Sequence, residues 1–216
     1  RFNYSPEESA LINVPRVFCT YTNTFGNLDA GSYSSVAIDD KQAARDAVET
    51  LVSLGHRRIA ILTDNDSDNS ISELRFQGYK DALATHGIPF DPNLVACTGT
   101  FSDMRAIYDA TSRLIARDDT FTAIFAIADL MAIAAIKALN DHGKRVPENC
   151  SVVAIDGLEL SEYTLPTLTT LVQPAEEMGL VCAKTIIELI EHPGKNRQFT
   201  FHTVLRPGGS VGRLNA

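Results

Sequence analysis

The side chains best suited to chemistry in this chain are a few polar and aromatic residues next to apolar runs. Asp156 closes the run Ser151–Ile155 and is followed by Gly157. A carboxylate there can accept hydrogen bonds from vicinal hydroxyls or ring nitrogens, or it can cap the next turn. Asp129 follows Ala123–Ile127 in a similar way, but an amphipathic segment starts at once, which favours helix capping. Arg75 lies near the start of another such segment. A cation there opposes the helix dipole and needs a partner, either a guest's polar group or an acid such as Glu73. Phe101, between Thr100 and Ser102, can stack on a sugar or base face or pack into a core.

Other patterns lack the context their chemistry needs. Gly208-Gly209-Ser210-Val211-Gly212 spells a nucleophile elbow. An elbow needs a helix after the serine and then an acid and a histidine, and neither follows in Arg213 to Ala216. Asp64 to Asn69 resembles the first half of a calcium loop, but Asn69 stands at the glycine position and Arg75 at the bidentate glutamate position. It reads as a solvated polar turn. His56, His86, His142, His192 and His202 form no H-x-x-x-H pair, and no phosphate-binding glycine loop occurs. The expectation is a chain with no metal and no cofactor that is not an enzyme.

Strands and helices must position these residues, and their patterns alternate along the chain. Short apolar runs predict strands at 16–20, 34–38, 58–63, 94–97, 123–127, 151–155, 168–172 and 199–205. Between them, apolar residues recur at helical spacing. One helix begins at Asp39 or Asp40 and stops at Gly55, and a second runs from Ser72 to His86 before Gly87. Others are capped by Ser102 and by Asp129, and a last one spans Glu176–Glu191. Continuous apolar strands alternating with amphipathic helices predict an α/β fold with parallel sheets flanked by helices. Ligands of such sheets bind beyond the carboxyl ends of the strands. That rule selects Thr20, Tyr21, the 64–70 loop, Phe101, Ala128, Asp129 and Asp156.

Composition narrows the partners. The 216 residues suit one large α/β unit or two small lobes. A net charge of −8, with no basic block beyond Arg57-Arg58, argues against these residues gripping a phosphate backbone. No apolar run is long enough to span a membrane, and Arg1-Phe2-Asn3-Tyr4 opens a polar stretch rather than a signal peptide. Cys19, Cys97, Cys150 and Cys182 are far apart, with no C-x-x-C pair. They read as buried or half-buried free thiols of a reducing cytoplasm, with a secreted disulfide framework as the alternative.

Five ordered segments carry a family resemblance. Leu54-Gly55-His56-Arg57-Arg58-Ile59-Ala60, Arg75-Phe76-Gln77-Gly78-Tyr79 and Val146–Asp156 are similar to segments of the lactose/galactose repressor (LacI/GalR) family, as is Leu165–Pro174. Arg206 and Ser210 echo its last strand, so the resemblance covers about residues 14–212. It implies a two-lobed periplasmic-binding-protein-like fold. Residues 1–38 with 174–198 would form part of an N-terminal lobe, and 39–173 with 199–216 a C-terminal lobe. It implies ligand-binding roles for Arg75 on effector polar groups, Phe101 on the ligand ring and Asp156 on ligand hydrogen bonds. Gln173 and Tyr21 would reach the cleft between the lobes, and Asp129 would stand beside it. Where relatives carry an asparagine this chain has Ala128, and where they carry an aspartate it has Thr20, which points away from a simple hexose.

The function implied is the effector-sensing part of a cytoplasmic, homodimeric bacterial transcriptional repressor that binds a sugar, a sugar derivative or a nucleoside. Operator DNA would be reached only through a helix-turn-helix domain expected to be absent from this sequence, along with part of the N-terminal lobe. No membrane partner is implied. The alternative is a periplasmic solute-binding protein of a sugar transporter, which shares the fold.

Overall fold

The computed structural model describes residues 14–20, 29–64 and 70–214. In chain order the elements are β1 Val17–Cys19, β2 Ser34–Ile38, α1 Asp40–Ser53, β3 Ile59–Thr63, α2 Ile71–Thr85, β4 Val95–Cys97 and α3 Met104–Arg117. There follow β5 Ala123–Ala126, α4 Asp129–Asp141, β6 Ser151–Asp156, β7 Thr169–Val172, α5 Ala175–Glu191, β8 Gln198–Phe201 and β9 Val204–Arg206. The described residues form two compact units: a smaller one of 14–20, 29–39, 70–71 and 173–203, and a larger one of 40–64, 72–172 and 204–214.

The larger unit holds a sheet in the order β4-β3-β5-β6-β7-β9, parallel throughout except for β9, which runs antiparallel to β7. Every residue of β3 and β5 is buried, as expected of central parallel strands covered on both faces. Helices α3 and α4 pack on each other, α3 against β4 and α4 against β5 and β6. The stripe Ala43, Ala44, Ala47, Val48, Leu51 and Val52 fixes α1 on this sheet, where it packs on β5, β6 and β7.

Gly78 sets how closely α1 and α2 approach. A Cβ added there would lie 2.2 Å from the Lys41 carbonyl oxygen and 2.8 Å from the Ala44 Cβ. Next to it, the buried Tyr79 hydroxyl donates to the Ile59 carbonyl at 2.7 Å, tying α2 to the start of β3. The motif residue His56 is also structural. It is 3% exposed, and its Nε2–H donates to the Gly212 carbonyl at 3.0 Å while Nδ1 accepts from Thr122 Oγ1 at 2.9 Å. Burial holds its pKa below the ordinary imidazole value, against an opposing contribution from the Gly212 bond.

Ser210, the serine of the elbow-like motif, is fully buried. Its hydroxyl donates to the Val152 carbonyl at 2.6 Å and accepts the Thr169 N–H at 2.8 Å. It fastens the amino-terminal ends of β6 and β7, the edge opposite the one where ligands of such sheets bind.

The smaller unit holds a parallel sheet in the order β1-β2-β8, with α5 packed on β1 and β2 through a stripe that buries Met178, Thr185 and Leu189.

Several sequence expectations need correction. The alternating run 199–205 suggested a single strand, but it breaks at His202-Thr203 into β8 and β9, which pair in different sheets. Residues 199–203, expected with the C-terminal lobe, therefore belong to the smaller unit, because β8 bonds to β2. The cap of α3 is Asp103, whose carboxylate accepts the Arg105 and Ala106 N–H groups, and not Ser102. The four cysteines are free, but Cys19 and Cys97 are exposed, being the last residues of the three-residue edge strands β1 and β4.

Replacing Gly78 with Ala forces the α1–α2 crossing apart and is expected to lower unfolding stability by about 1–3 kcal/mol. Urea unfolding measures this directly. A loss below about 0.5 kcal/mol would show that the two helices separate freely.

Candidate functional site

Strand order reverses between β3 and β5, since the chain runs outward from β3 to β4 and returns to β5. At such a switch point the connections after the two strands leave to opposite faces and open a crevice beyond their carboxyl ends. Arg75 spans this place. It sits in the first turns of α2, one helical turn before Gly78, and the tight crossing brings it against the amino terminus of α1. Its Nε and Nη2 each lie 2.8 Å from Asp40 Oδ1. Nη1 donates to the Ile127 carbonyl, just past β5, and reaches Asp156 Oδ1 at 3.5 Å. The Arg75 and Asp40 side chains are 7% and 3% exposed, whereas that of Asp156 is 24% exposed. Burial works against the charge of Arg75, but the two carboxylates outweigh it and raise the guanidinium pKa further.

Asp156 is held from its other side by the Asp129 N–H, 3.4 Å from Oδ2. Its φ of 138° is a strained value for a residue with a side chain. Gly157 follows with φ 78°, where an added Cβ would meet Val172 Cα at 2.7 Å. The backbone is thus bent sharply as β6 ends, and Asp156 is turned toward Arg75.

Asp129 is a second-row member of the cluster. It is the first residue of α4, whose cap position is occupied by Ala128 with no side-chain bond, so the capping expectation is corrected. Its fully buried carboxylate accepts the Thr170 hydroxyl at 2.6 Å and the Leu158 N–H at 2.8 Å, which ties the turn after β6 to β7. Burial raises its pKa, the Thr170 and Leu158 bonds lower it, and Asp156 adds to the rise.

The structure therefore brings Arg75, Asp156 and Asp129 together at the carboxyl edge of the larger sheet. Phe101 stands at that same edge, in the connection after β4, and is 42% exposed rather than packed in the core. Gln173 belongs to the smaller unit, where its carbonyl accepts the Ala175 N–H at 2.8 Å. Tyr21 and the calcium-like stretch at 65–69 lie outside the described residues.

Sequence reasoning missed Asp40 as the main partner of Arg75 and offered Glu73 instead. Glu73 accepts from the Gln77 amide at 3.1 Å. The signal in the sequence is the double aspartate Asp39-Asp40 at the start of α1, whose local context suggests only a helix cap. Because Arg75 and Asp40 are both buried, Arg75→Met is expected to cost about 3–5 kcal/mol without any ligand present. Adding Asp40→Leu to that variant should restore most of the loss in chemical denaturation. Full stability of Arg75→Met alone would show that the pair is not buried in solution.

Comparison with known proteins agrees with this architecture. Residues 31–211 match the periplasmic binding protein-like domain family. The chain is 34% identical over 194 residues to the HTH-type transcriptional regulator MalR of Clostridium butyricum, covering 90% of this chain and 57% of that one. A solved complex of the transcriptional regulator CelR with cellobiose superposes with a TM-score of 0.83 at 31% identity, covering 91% of this chain and 59% of the other. A LacI family transcriptional regulator from Enterococcus faecium with bound ribose superposes with a TM-score of 0.84 at 27% identity, covering 97% and 75%. The chain spans about half the length of the curated relatives it matches. These relatives are transcriptional regulators, not enzymes. The match across 31–211, the doubly wound sheet and the ordered motifs lead to one conclusion: this chain belongs to the LacI/GalR family and carries its periplasmic-binding-protein-like domain.

Proposed function

We propose that the chain is the effector-sensing part of a cytoplasmic bacterial transcriptional repressor, and that its effector is a small polyhydroxylated molecule, a sugar or sugar derivative, bound at the carboxyl edge of the larger unit. The observation that carries this reading is the state of Asp156. Its carboxylate is oriented by Arg75 and by the Asp129 N–H, yet it is the solvent-reaching member of an otherwise buried network. Each carboxylate oxygen can accept more than one hydrogen bond, so Asp156 can take vicinal hydroxyls. Phe101 offers a ring at the same edge for the apolar face of a sugar. The family resemblance also gives ligand roles to Gln173 and Tyr21, and within the larger unit Asp129 acts by holding the Asp156 turn. Relatives solved with cellobiose and ribose support the ligand class.

The effector changes DNA affinity only to the extent that it binds two conformations of the regulator unequally. Operator contact belongs to a helix-turn-helix domain outside these residues. The solute-binding alternative shares the fold, but the regulators named above favour the repressor.

The regulator is also proposed to be a homodimer, with one contact on the larger unit. Leu160, Tyr163 and Leu165 are exposed there, at 55%, 78% and 93%, beside the edge strand β9 with its exposed Val204. Arg206 of β9 bonds the Leu158 carbonyl and Ser161, so these residues share one surface. An apolar patch beside an unpaired strand edge is suited to a second copy.

A thermal-shift screen of sugars, sugar derivatives and nucleosides is expected to yield at least one ligand that raises the melting temperature. Asp156→Ala should abolish that rise while leaving the unliganded melting point within a few degrees. A ligand whose effect survives Asp156→Ala, Arg75→Met and Phe101→Ala together would place the site elsewhere. For the dimer, sedimentation velocity should show Leu165→Asp shifted toward monomer, and an unchanged dimer in that variant would remove this surface from the interface.

A further inference from the structure

The effector reading leaves open whether the site takes a neutral or a phosphorylated ligand, and resting on that reading we infer that Asp40 is the residue that excludes anions. Arginine is the side chain best able to grip a phosphate or carboxylate, because its N–H groups form a fork that binds two oxygens at once. In this chain the fork is already engaged. Of the five N–H groups of Arg75, Nε and one of Nη2 point to Asp40 at 2.8 Å, and the two on Nη1 serve the Ile127 carbonyl and Asp156. An incoming anion would have to displace a carboxylate from each side of the guanidinium.

The charge count points the same way. Asp40 and Asp156 flank Arg75, so two carboxylates face a single cation, and the buried Asp129 carboxylate lies one bond further on, its N–H meeting Asp156. Asp40 adds its negative charge from a buried position, 4% exposed, in direct contact with the guanidinium. A hydroxyl-bearing neutral molecule meets an acceptor in Asp156 and suffers no charge repulsion. A phosphorylated one meets net negative charge in a half-buried place, where screening is weak.

Asp40→Asn tests this by keeping an acceptor oxygen for Arg75 while removing one charge. The probe is inorganic phosphate, titrated at constant ionic strength against chloride and followed by melting temperature and isothermal titration. The native chain should show no saturable binding. Asp40→Asn should gain it, with affinity higher by on the order of a hundredfold for one fewer charge near the anion. Arg75→Met in the Asp40→Asn background should lose it again. Asp40→Ser provides the same comparison if the asparagine variant does not fold.

Saturable phosphate binding to the native chain would overturn the proposal, as would a folded Asp40 variant that takes no phosphate. Should a neutral sugar stabilise the native chain while phosphate also binds at Arg75, the effector reading stands and this one falls. Should no sugar act while phosphate stays excluded, the reverse holds.

Discussion

A buried guanidinium is the constraint around which the larger unit is organised. A charge taken out of water is stable only with well-placed partners, because the cost of desolvation must be offset by direct bonds. Arg75 obtains them from three places far apart in sequence: Asp40 at the start of α1, the Ile127 carbonyl beyond β5 and Asp156 at the end of β6. Each bond restricts a different element. The first depends on α1 and α2 approaching closely, which Gly78 permits by having no side chain where the Lys41 carbonyl lies. The second bridges the point at which the strand order reverses. The third faces a turn whose backbone is strained at Asp156.

This arrangement explains why the edge of the sheet can be a site and remain stable. Arg75 and Asp40 satisfy each other, and Asp129 is satisfied by Thr170 and Leu158, all without a ligand. Only Asp156 and Phe101 reach toward solvent, so the outer surface can respond to a guest while the inner network keeps its geometry. Preorganisation of this kind reduces the ordering cost that a ligand would otherwise carry.

The family motifs divide along the same line. In Arg75-Phe76-Gln77-Gly78-Tyr79 the arginine bonds Asp40 and Asp156, the glycine sets a helix crossing and the tyrosine ties α2 to β3. His56 and Ser210 fasten the far edge of the sheet and have no part in the site. Motif letters alone do not separate these roles, because a packing glycine and an arginine that bridges two carboxylates stand three residues apart on one helix face.

The sequence by itself determined the alternation of buried strands and amphipathic helices, because apolar periodicity is a local property of the chain. From that alternation follow the parallel sheet and the rule that ligands meet its carboxyl edge, so Asp156 and Phe101 could be singled out from their positions after strands, while Arg75 was marked only as a helix-start cation in need of a partner. Tertiary structure alone decided that partner: Asp40 is 35 residues away, and nothing local distinguishes a capping aspartate from one that reaches across a helix crossing. It alone decided that Asp129 holds Thr170 and Leu158 rather than its own helix end. It also decided that one alternating run splits between two sheets, because a strand's pairing is settled by the neighbour it finds and not by its own pattern.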